Sequence, residues 1–229
     1  MSLEIYSVVF WIAAIISTIL QDRKAQSGET KVVSVTTVVK LLPALMAILF
    51  VVLFRPPTLF TLLLAGALFF CMLGDVGMEV DLVPGIGMFL IAHILYTSNF
   101  LWHSSTMSPT MTPMLLGAGC MILGIVFVFL FIRYLRAAGP EIPPFILRAG
   151  SLYFILICAT LSTTLLLWQT TPATFGYLPV LGALIFIISD SFIAVNEFRR
   201  KIPRHEFYIM PTYYIAIFLL SLSVFVYGF

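Results

Sequence analysis

Apolar runs of about 20 residues recur along the whole chain, and short segments rich in proline, glycine and charged residues separate them. A run of this length and composition is typical of a helix that crosses a lipid bilayer. The pattern predicts eight membrane-spanning helices, at residues 3–20, 33–54, 58–79, 83–102, 113–136, 146–169, 176–198 and 207–228. Because every loop is short, we expect one all-α domain over residues 1–229, a polytopic membrane bundle.

The composition supports a membrane protein, since 61% of the residues are hydrophobic and only 10% are charged. The net charge of +2 comes without a basic face, so we expect no nucleic-acid partner. Cys71, Cys120 and Cys158 lie in separate apolar runs, which predicts neither a disulfide framework nor a metal site built on cysteine. The first run follows Glu4 without a basic segment, so we expect a retained helix and not a signal peptide.

The distribution of basic residues predicts how the bundle is oriented. Eight crossings place both termini on one side of the membrane, where Arg55 is the basic residue of the loops. The loops of the other side contain Arg23, Lys24, Lys31, Arg133, Arg136, Arg148, Arg199, Arg200, Lys201 and Arg204. Basic loops face the cytoplasm, so both termini are predicted to be non-cytoplasmic. A bacterial inner membrane and the eukaryotic endoplasmic reticulum membrane both fit this pattern.

Two aspartates lie inside the predicted spans, Asp75 in LFFCMLGDVGM and Asp190 in LIFIISDSFIA. A carboxylate within hydrocarbon is costly and is usually kept where it faces a cavity, a partner or a substrate. At 1.5 Å per residue, both lie one to two turns inside the predicted cytoplasmic boundary. We therefore predict that they act together on a polar group at this depth.

Other polar side chains are predicted at nearly the same depth, namely Lys40, His93, Tyr213 and Tyr214. Lys40 is equally compatible with snorkelling to the interface, and His93 with a packing role in the core. One histidine and two distant aspartates make a poor zinc site, so neither a metal nor another cofactor is expected.

Glu79 follows Asp75 by four residues and shares its helical face. Glu79 and Asp81 nevertheless lie where the third span meets water, and we expect both to be solvated loop charges. The spans that contain Asp75 and Asp190 are each the third of the four spans in their half of the chain. This suggests a parallel four-plus-four duplication.

Four segments together resemble the lysoplasmalogenase, or YhhN-like, family of membrane proteins. They are VVKLLP (38–43), GDVGMEVDLVPGIGMFLIAHILY (74–96), SDSFIAVNEF (189–198) and MPTYYIAIFLLSLS (210–223). The resemblance implies hydrolysis of the vinyl ether bond of lysoplasmalogens to a fatty aldehyde and glycerophosphoethanolamine or glycerophosphocholine. It also implies a vinyl ether lysophospholipid and the bilayer as partners.

The resemblance implies that Asp75 and Asp190 are catalytic, one as general acid and the other as base or charge stabiliser. This agrees with the chemistry, because an enol ether is cleaved by protonation of its β-carbon and capture of the resulting cation by water. The sequence leaves open which aspartate is the acid. Supporting and substrate-binding roles are implied for Lys40, His93, Tyr96, Tyr213, Tyr214 and Asn196.

Two places depart from the family pattern. Ile217 stands where the family usually has glutamine, and Val76, Gly77 and Met78 replace the usual branched apolar residues after Gly-Asp, a milder change. Ile217 shares the face of Tyr214, so we expect the cavity to lack one polar group. Two other functions stay open at this point: a proton-coupled transporter that uses the buried acids as relays, and a lipid-binding protein without catalysis.

Overall fold

The computed structural model describes residues 2–28, 34–137 and 142–228. Lys31, used above for orientation, and residue 33, the predicted start of the second span, lie outside the described residues. The described helices are α1 (Leu3–Ser27), α2 (Val35–Phe54), α3 (Leu59–Val80), α4 (Leu82–Thr106), α5 (Met111–Arg136), α6 (Pro144–Thr170), α7 (Tyr177–Phe198), α8 (Glu206–Ser221) and α9 (Ser223–Tyr227).

The predicted all-α membrane bundle is confirmed. Helices α1 to α7 are each long and apolar enough to cross a membrane, and α8 and α9 together form an eighth such segment, Glu206–Tyr227. The protein is therefore a multi-pass membrane protein. The four-plus-four duplication and the orientation of the termini stay predictions.

The predicted end of the first span, at residue 20, is wrong. Helix α1 continues to Ser27 and ends at Gly28, which adopts the left-handed conformation that favours glycine. Its last two turns are polar in sequence, but Gln21 and Asp22 are buried. Their burial is possible because neighbouring segments supply hydrogen-bond and ion-pair partners. Gln21 donates to the Thr36 carbonyl, and Asp22 pairs with Arg204. Arg23 and Lys24 consequently belong to a helix and not to a loop.

Helices α3 and α4 form a tight hairpin that sets the position of Asp75. Asp81 ends α3, and its side chain accepts a hydrogen bond from the Val83 N–H at the start of α4. The two helices approach so closely that a Cβ atom built on Gly77 would lie 2.8 Å from the Gly85 backbone. Small residues at this crossing therefore bring the end of α3 directly against the start of α4.

The remaining helices surround this hairpin. Helix α1 packs against α2 and α8, α7 packs against α8, and α6 lies between α4 and α5. Few residues of α5 are buried, so much of its surface faces outward. The ends of α1, α3 and α7 and the starts of α2, α4 and α8 come together, and they surround a polar cavity.

Candidate functional site

A cavity of about 480 Å³ opens at this end of the bundle and is lined by both apolar and charged side chains. Its polar lining residues are Gln21, Lys24, Lys40, Asp75, Glu79, Asp190, Asn196, Glu197, His205, Glu206 and Tyr213. Asp75 and Asp190, 115 positions apart in sequence, thus reach the same cavity. This volume holds a lipid head group or several water molecules.

Asp75 lies in α3 and is only 3% exposed. The Tyr213 hydroxyl, from α8, donates a hydrogen bond of 2.8 Å to Asp75 Oδ2 and lies 3.4 Å from the Cys71 carbonyl oxygen. Tyr213 is itself buried and packs edge-on against the Phe89 and Phe186 rings. Asp75 is therefore held in one orientation by a rigid phenol.

Asp190 lies in α7 and is 7% exposed. The hydroxyl of Tyr153, from α6, donates a hydrogen bond to Asp190 Oδ2. Each aspartate therefore has its own tyrosine partner from another helix. Sequence reasoning missed Tyr153, although a depth count would have found it. The sixth span begins at the end of the bundle where the seventh finishes, so Tyr153 and Asp190 lie at matching heights.

Glu79 is a cavity residue, so the prediction that it is a solvated loop charge is wrong. Its side chain is 11% exposed and binds two ammonium groups: Oε1 accepts from Lys40 Nζ at 3.0 Å, and Oε2 accepts from Lys24 Nζ at 2.5 Å. The last turn of α3 brings Glu79 to the cavity, where the part of α1 beyond its predicted end supplies Lys24. Asp81 is exposed, as expected.

This cluster also locates Lys40, for which snorkelling was an alternative. Lys40 is buried and lines the cavity with its ammonium group on Glu79. Lys24 was placed in a loop by the sequence analysis, yet its side chain is 9% exposed and reaches the same carboxylate. Two ammonium groups therefore share this carboxylate, and the acidic side chains of Asp75 and Glu206 line the same cavity.

The end of α7 and the start of α8 form another part of the cavity wall. Asn196 is buried and accepts from the Ile202 N–H at 2.9 Å, while its amide donates to Glu197 at 3.0 Å. It therefore stabilises the turn after α7 as well as lining the cavity. His205 Nε2 lies 3.4 Å from Glu206 Oε1, and this contact raises the pKa of His205 above its usual 6.5.

Three other residues predicted for the site lie behind the cavity wall and do not line it. The Tyr214 hydroxyl contacts Ser17 at 2.6 Å and the Lys40 carbonyl at 3.3 Å. The Tyr96 hydroxyl lies 4.0 Å from the Cys71 sulfur. The third is His93 of α4. Ile217 is fully buried in the core, so the expectation that this position faces the cavity is wrong.

His93 is fully buried in α4, and its Nδ1 lies 3.0 Å from the Thr160 hydroxyl. Its ring packs edge-on against Phe186, with centroids 4.6 Å apart, and against Tyr153 at 5.8 Å. Its Nε2 has no hydrogen-bond partner among the described residues. His93 thus touches the tyrosine that holds Asp190, without reaching the cavity itself.

An apolar groove of about 70 Å³ adjoins the polar cavity between α4, α5, α6 and α7. Both spaces are bordered by Met78, Leu82, Phe89, Asp190 and Ile193. Asp190 therefore stands at the boundary between a charged space and an apolar one, whereas Asp75 borders the charged space.

This arrangement offers two buried carboxyl groups, two ammonium groups and an apolar groove to one amphipathic molecule. Across the described ranges, no three His, Cys, Asp or Glu side chains are grouped as metal ligands. The geometry suits acid–base chemistry on a substrate that has a polar and an apolar part.

Known proteins resemble this chain over most of its length. The sequence profile of the YhhN family matches residues 35–224. The lysoplasmalogenase TMEM86B of Homo sapiens is 29% identical over 189 residues, which cover 81% of this chain and 73% of the relative. TMEM86B of Sus scrofa is 29% identical over 83% of this chain and 75% of the relative. The lysoplasmalogenase TMEM86A of Bos taurus is 30% identical over 62% and 54%, respectively. No solved structure matches the chain.

Proposed function

Because this chain belongs to the YhhN family, as its four motifs predicted, we propose that it is a lysoplasmalogenase. It hydrolyses the vinyl ether bond of a lysoplasmalogen and releases a fatty aldehyde and glycerophosphoethanolamine or glycerophosphocholine. One observation carries this proposal: Asp75 and Asp190 line one cavity, and Asp190 also borders an apolar groove. A lysoplasmalogen has its reactive bond at just such a boundary, between a polar head and a hydrocarbon chain.

The reaction adds one water molecule across the bond. A proton moves from a carboxyl group to the β-carbon of the vinyl ether, which leaves an oxocarbenium ion at the α-carbon. Water, losing a proton to the second carboxylate, attacks the α-carbon and forms a hemiacetal. The hemiacetal hydroxyl then gives its proton to the first carboxylate as the carbon–oxygen bond to the glycerol breaks, and the glycerol oxygen takes up the proton held by the second carboxyl group. The aldehyde is released, and both carboxyl groups return to their starting protonation states. Two carboxyl groups in different environments can serve as the acid and the base.

We assign Asp190 as the general acid. The β-carbon belongs to the hydrocarbon chain, so it must lie on the apolar side, which Asp190 borders. Tyr153 contacts Asp190 Oδ2, which leaves Oδ1 to carry the proton. Asp75 faces the charged cavity, where water is available, and Tyr213 orients it as the base that activates this water.

The wall formed by Lys24, Lys40 and Glu79 is the binding site we assign to the phosphate of the head group. Its two ammonium groups are the hydrogen-bond donors that a phosphodiester needs, and both are held in place by Glu79. Tyr214 supports this wall from behind through the Lys40 carbonyl.

The remaining predicted residues have positioning roles in this proposal. His93 packs against Tyr153 and thereby keeps Asp190 oriented, and Tyr96 fills the space beside His93 at a centroid distance of 5.8 Å. Asn196 fixes the turn after α7 and lines the cavity. The basic loops favour a cytoplasmic position for this cavity, in a bacterial inner membrane or the endoplasmic reticulum.

The test is aldehyde release by purified protein in detergent from a lysoplasmalogen, with the matching ester lysophospholipid as a parallel substrate. We expect aldehyde from the vinyl ether alone, and release without any ion gradient excludes transport as the assayed activity. Asp75→Asn and Asp190→Asn should each lower kcat/KM at least about 100-fold, the usual contribution of a positioned acid or base. Asp81→Asn, on the exposed hairpin, is the matched control and should keep wild-type activity. Near-normal turnover by both folded site variants would overturn the two-carboxyl mechanism.

A further inference from the structure

We propose that the apolar groove between α4, α5, α6 and α7 binds the first few carbons of the substrate's hydrocarbon chain and so places the vinyl ether at Asp190. This inference rests on the proposed function, because it names the part of the site that holds the chain. The groove is lined almost wholly by apolar side chains, among them Ile86, Phe131, Leu135, Ile146, Phe154 and Ala194.

Continuity with the polar cavity identifies the occupant. The groove and the cavity meet at Phe89, Asp190 and Ile193, so a molecule that fills both must be charged at one end and apolar at the other. A single-chain phospholipid has this shape, and its head group would lie at the wall of Lys24 and Lys40. A diacyl lipid has a second chain, for which the groove of about 70 Å³ leaves no room beside the first.

The size of the groove limits how much of the chain it holds. Its volume of about 70 Å³ is below the roughly 150 Å³ of an engineered protein cavity that binds benzene. Only a few methylene groups therefore fit, and the rest of the chain must extend into the bilayer, beside the sparsely buried α5.

The groove orients the chain and adds little affinity. Lipid tails are as apolar as the side chains of the groove, so moving a few carbons from bilayer to groove changes their free energy little. What the groove supplies is position, and a misplacement of about 1 Å at the reacting atoms can slow catalysis about 100-fold. Blocking the groove should therefore lower turnover and relocate the chain.

Gly150 offers a way to block it. Gly150 lines the groove in α6, and a Cβ atom built there meets no atom within 4 Å. Gly150→Leu places a branched side chain into the groove without a backbone clash. Gly119 in α5 has equally open space and lies outside the groove, so Gly119→Leu is the matched control.

The experiment is photocrosslinking with a saturated alkyl ether lysophosphocholine that carries a diazirine on the third chain carbon. This probe cannot be hydrolysed at a vinyl ether, so its readout is independent of activity. In wild-type protein we expect labelled peptides from residues 131–135 and 146–154. Gly150→Leu should reduce this labelling at least tenfold and kcat/KM for a lysoplasmalogen by a similar factor, and Gly119→Leu should change neither.

Three results would overturn the inference: wild-type labelling confined to other segments, labelling unchanged in a folded Gly150→Leu variant, or equal competition by a diacyl phospholipid. The first of these needs no variant, so the test holds even if Gly150→Leu does not fold. If the groove is labelled as expected but no aldehyde forms from any vinyl ether, the groove assignment stands and the proposed reaction falls.

Discussion

Replacing Glu79 with glutamine removes the carboxylate that contacts both Lys24 and Lys40. The ammonium groups lie 2.5 Å and 3.0 Å from its two oxygens, and all three side chains are no more than 11% exposed. In Glu79→Gln both lysines keep their charge and lose their ion pair, the amide oxygen accepts from one of them, and the amide NH2 group is left beside the other. The variant therefore leaves two poorly solvated cations where the wild type has a compensated cluster.

The size of the effect follows from these contacts. A hydrogen bond to a charged group contributes about 1.5–3 kcal/mol. The variant leaves one ammonium group without an acceptor and the other with a neutral one, so we take the upper value, which predicts a loss of about 3 kcal/mol, or about 100-fold in the unfolding equilibrium. Glu197→Gln is the matched control. Its ion pair with Lys201 has side chains that are 40% and 76% exposed, and such pairs contribute below about 0.5 kcal/mol.

The assay is equilibrium unfolding in mixed detergent micelles, followed by circular dichroism. The double variant Glu79→Gln with Lys24→Met should recover roughly half of the loss, since it removes one of the uncompensated cations. A loss below about 0.5 kcal/mol in Glu79→Gln, together with no recovery in the double variant, would refute the reasoning that Glu79 holds the two lysines.

Three further predictions concern packing, pH and the tyrosine partners. Gly77→Ala should destabilise the protein by about 1–3 kcal/mol, because its new methyl group would meet the backbone of α4 at 2.8 Å. Gly87 faces open space, so Gly87→Ala should leave the stability unchanged. Unfolding in detergent compares the two variants. The raised pKa of His205 contributes stability that is fully present below about pH 6.5 and is lost as the pH rises through the folded-state value. Wild-type stability should therefore fall between pH 6 and pH 8 more than that of His205→Gln, and equal slopes would contradict the contact with Glu206. Tyr153→Phe removes the hydroxyl that donates to Asp190, so it should lower kcat at least tenfold and stability by about 1 kcal/mol. An unchanged kcat in the folded variant would show that Tyr153 has no part in catalysis.

The eight spans could be predicted because their signal is local: apolar length and the breaks between runs are properties of consecutive residues. The end of α1 could not, because Gln21 and Asp22 look like a solvated helix end until Thr36 and Arg204 come beside them. That turn of α1 is polar, as the sequence shows, but it is buried by residues that are distant in sequence.

The sequence could predict how deep each candidate residue lies in the membrane, but not in which direction its side chain points. Counting residues from the span ends brought Asp75 and Asp190 to one layer, and the structure places both at one cavity. Adjacent residues on a helix point about 100° apart, so depth alone could not tell that Tyr213 contacts Asp75 while its neighbour Tyr214 faces Ser17. The charge on Glu79 likewise could not reveal its lysine partners, one of which lies in the unpredicted part of α1.

The most direct measurement is the mass of the aldehyde released from a lysoplasmalogen by the purified protein in D2O. Protonation of the β-carbon from a solvent-exchanged carboxyl group must leave one deuterium on the carbon next to the aldehyde group. The account predicts aldehyde one mass unit heavier than that formed in H2O, and at least about 100-fold less of it from Asp190→Asn. No aldehyde from folded protein, or aldehyde without deuterium, would contradict the proposed reaction.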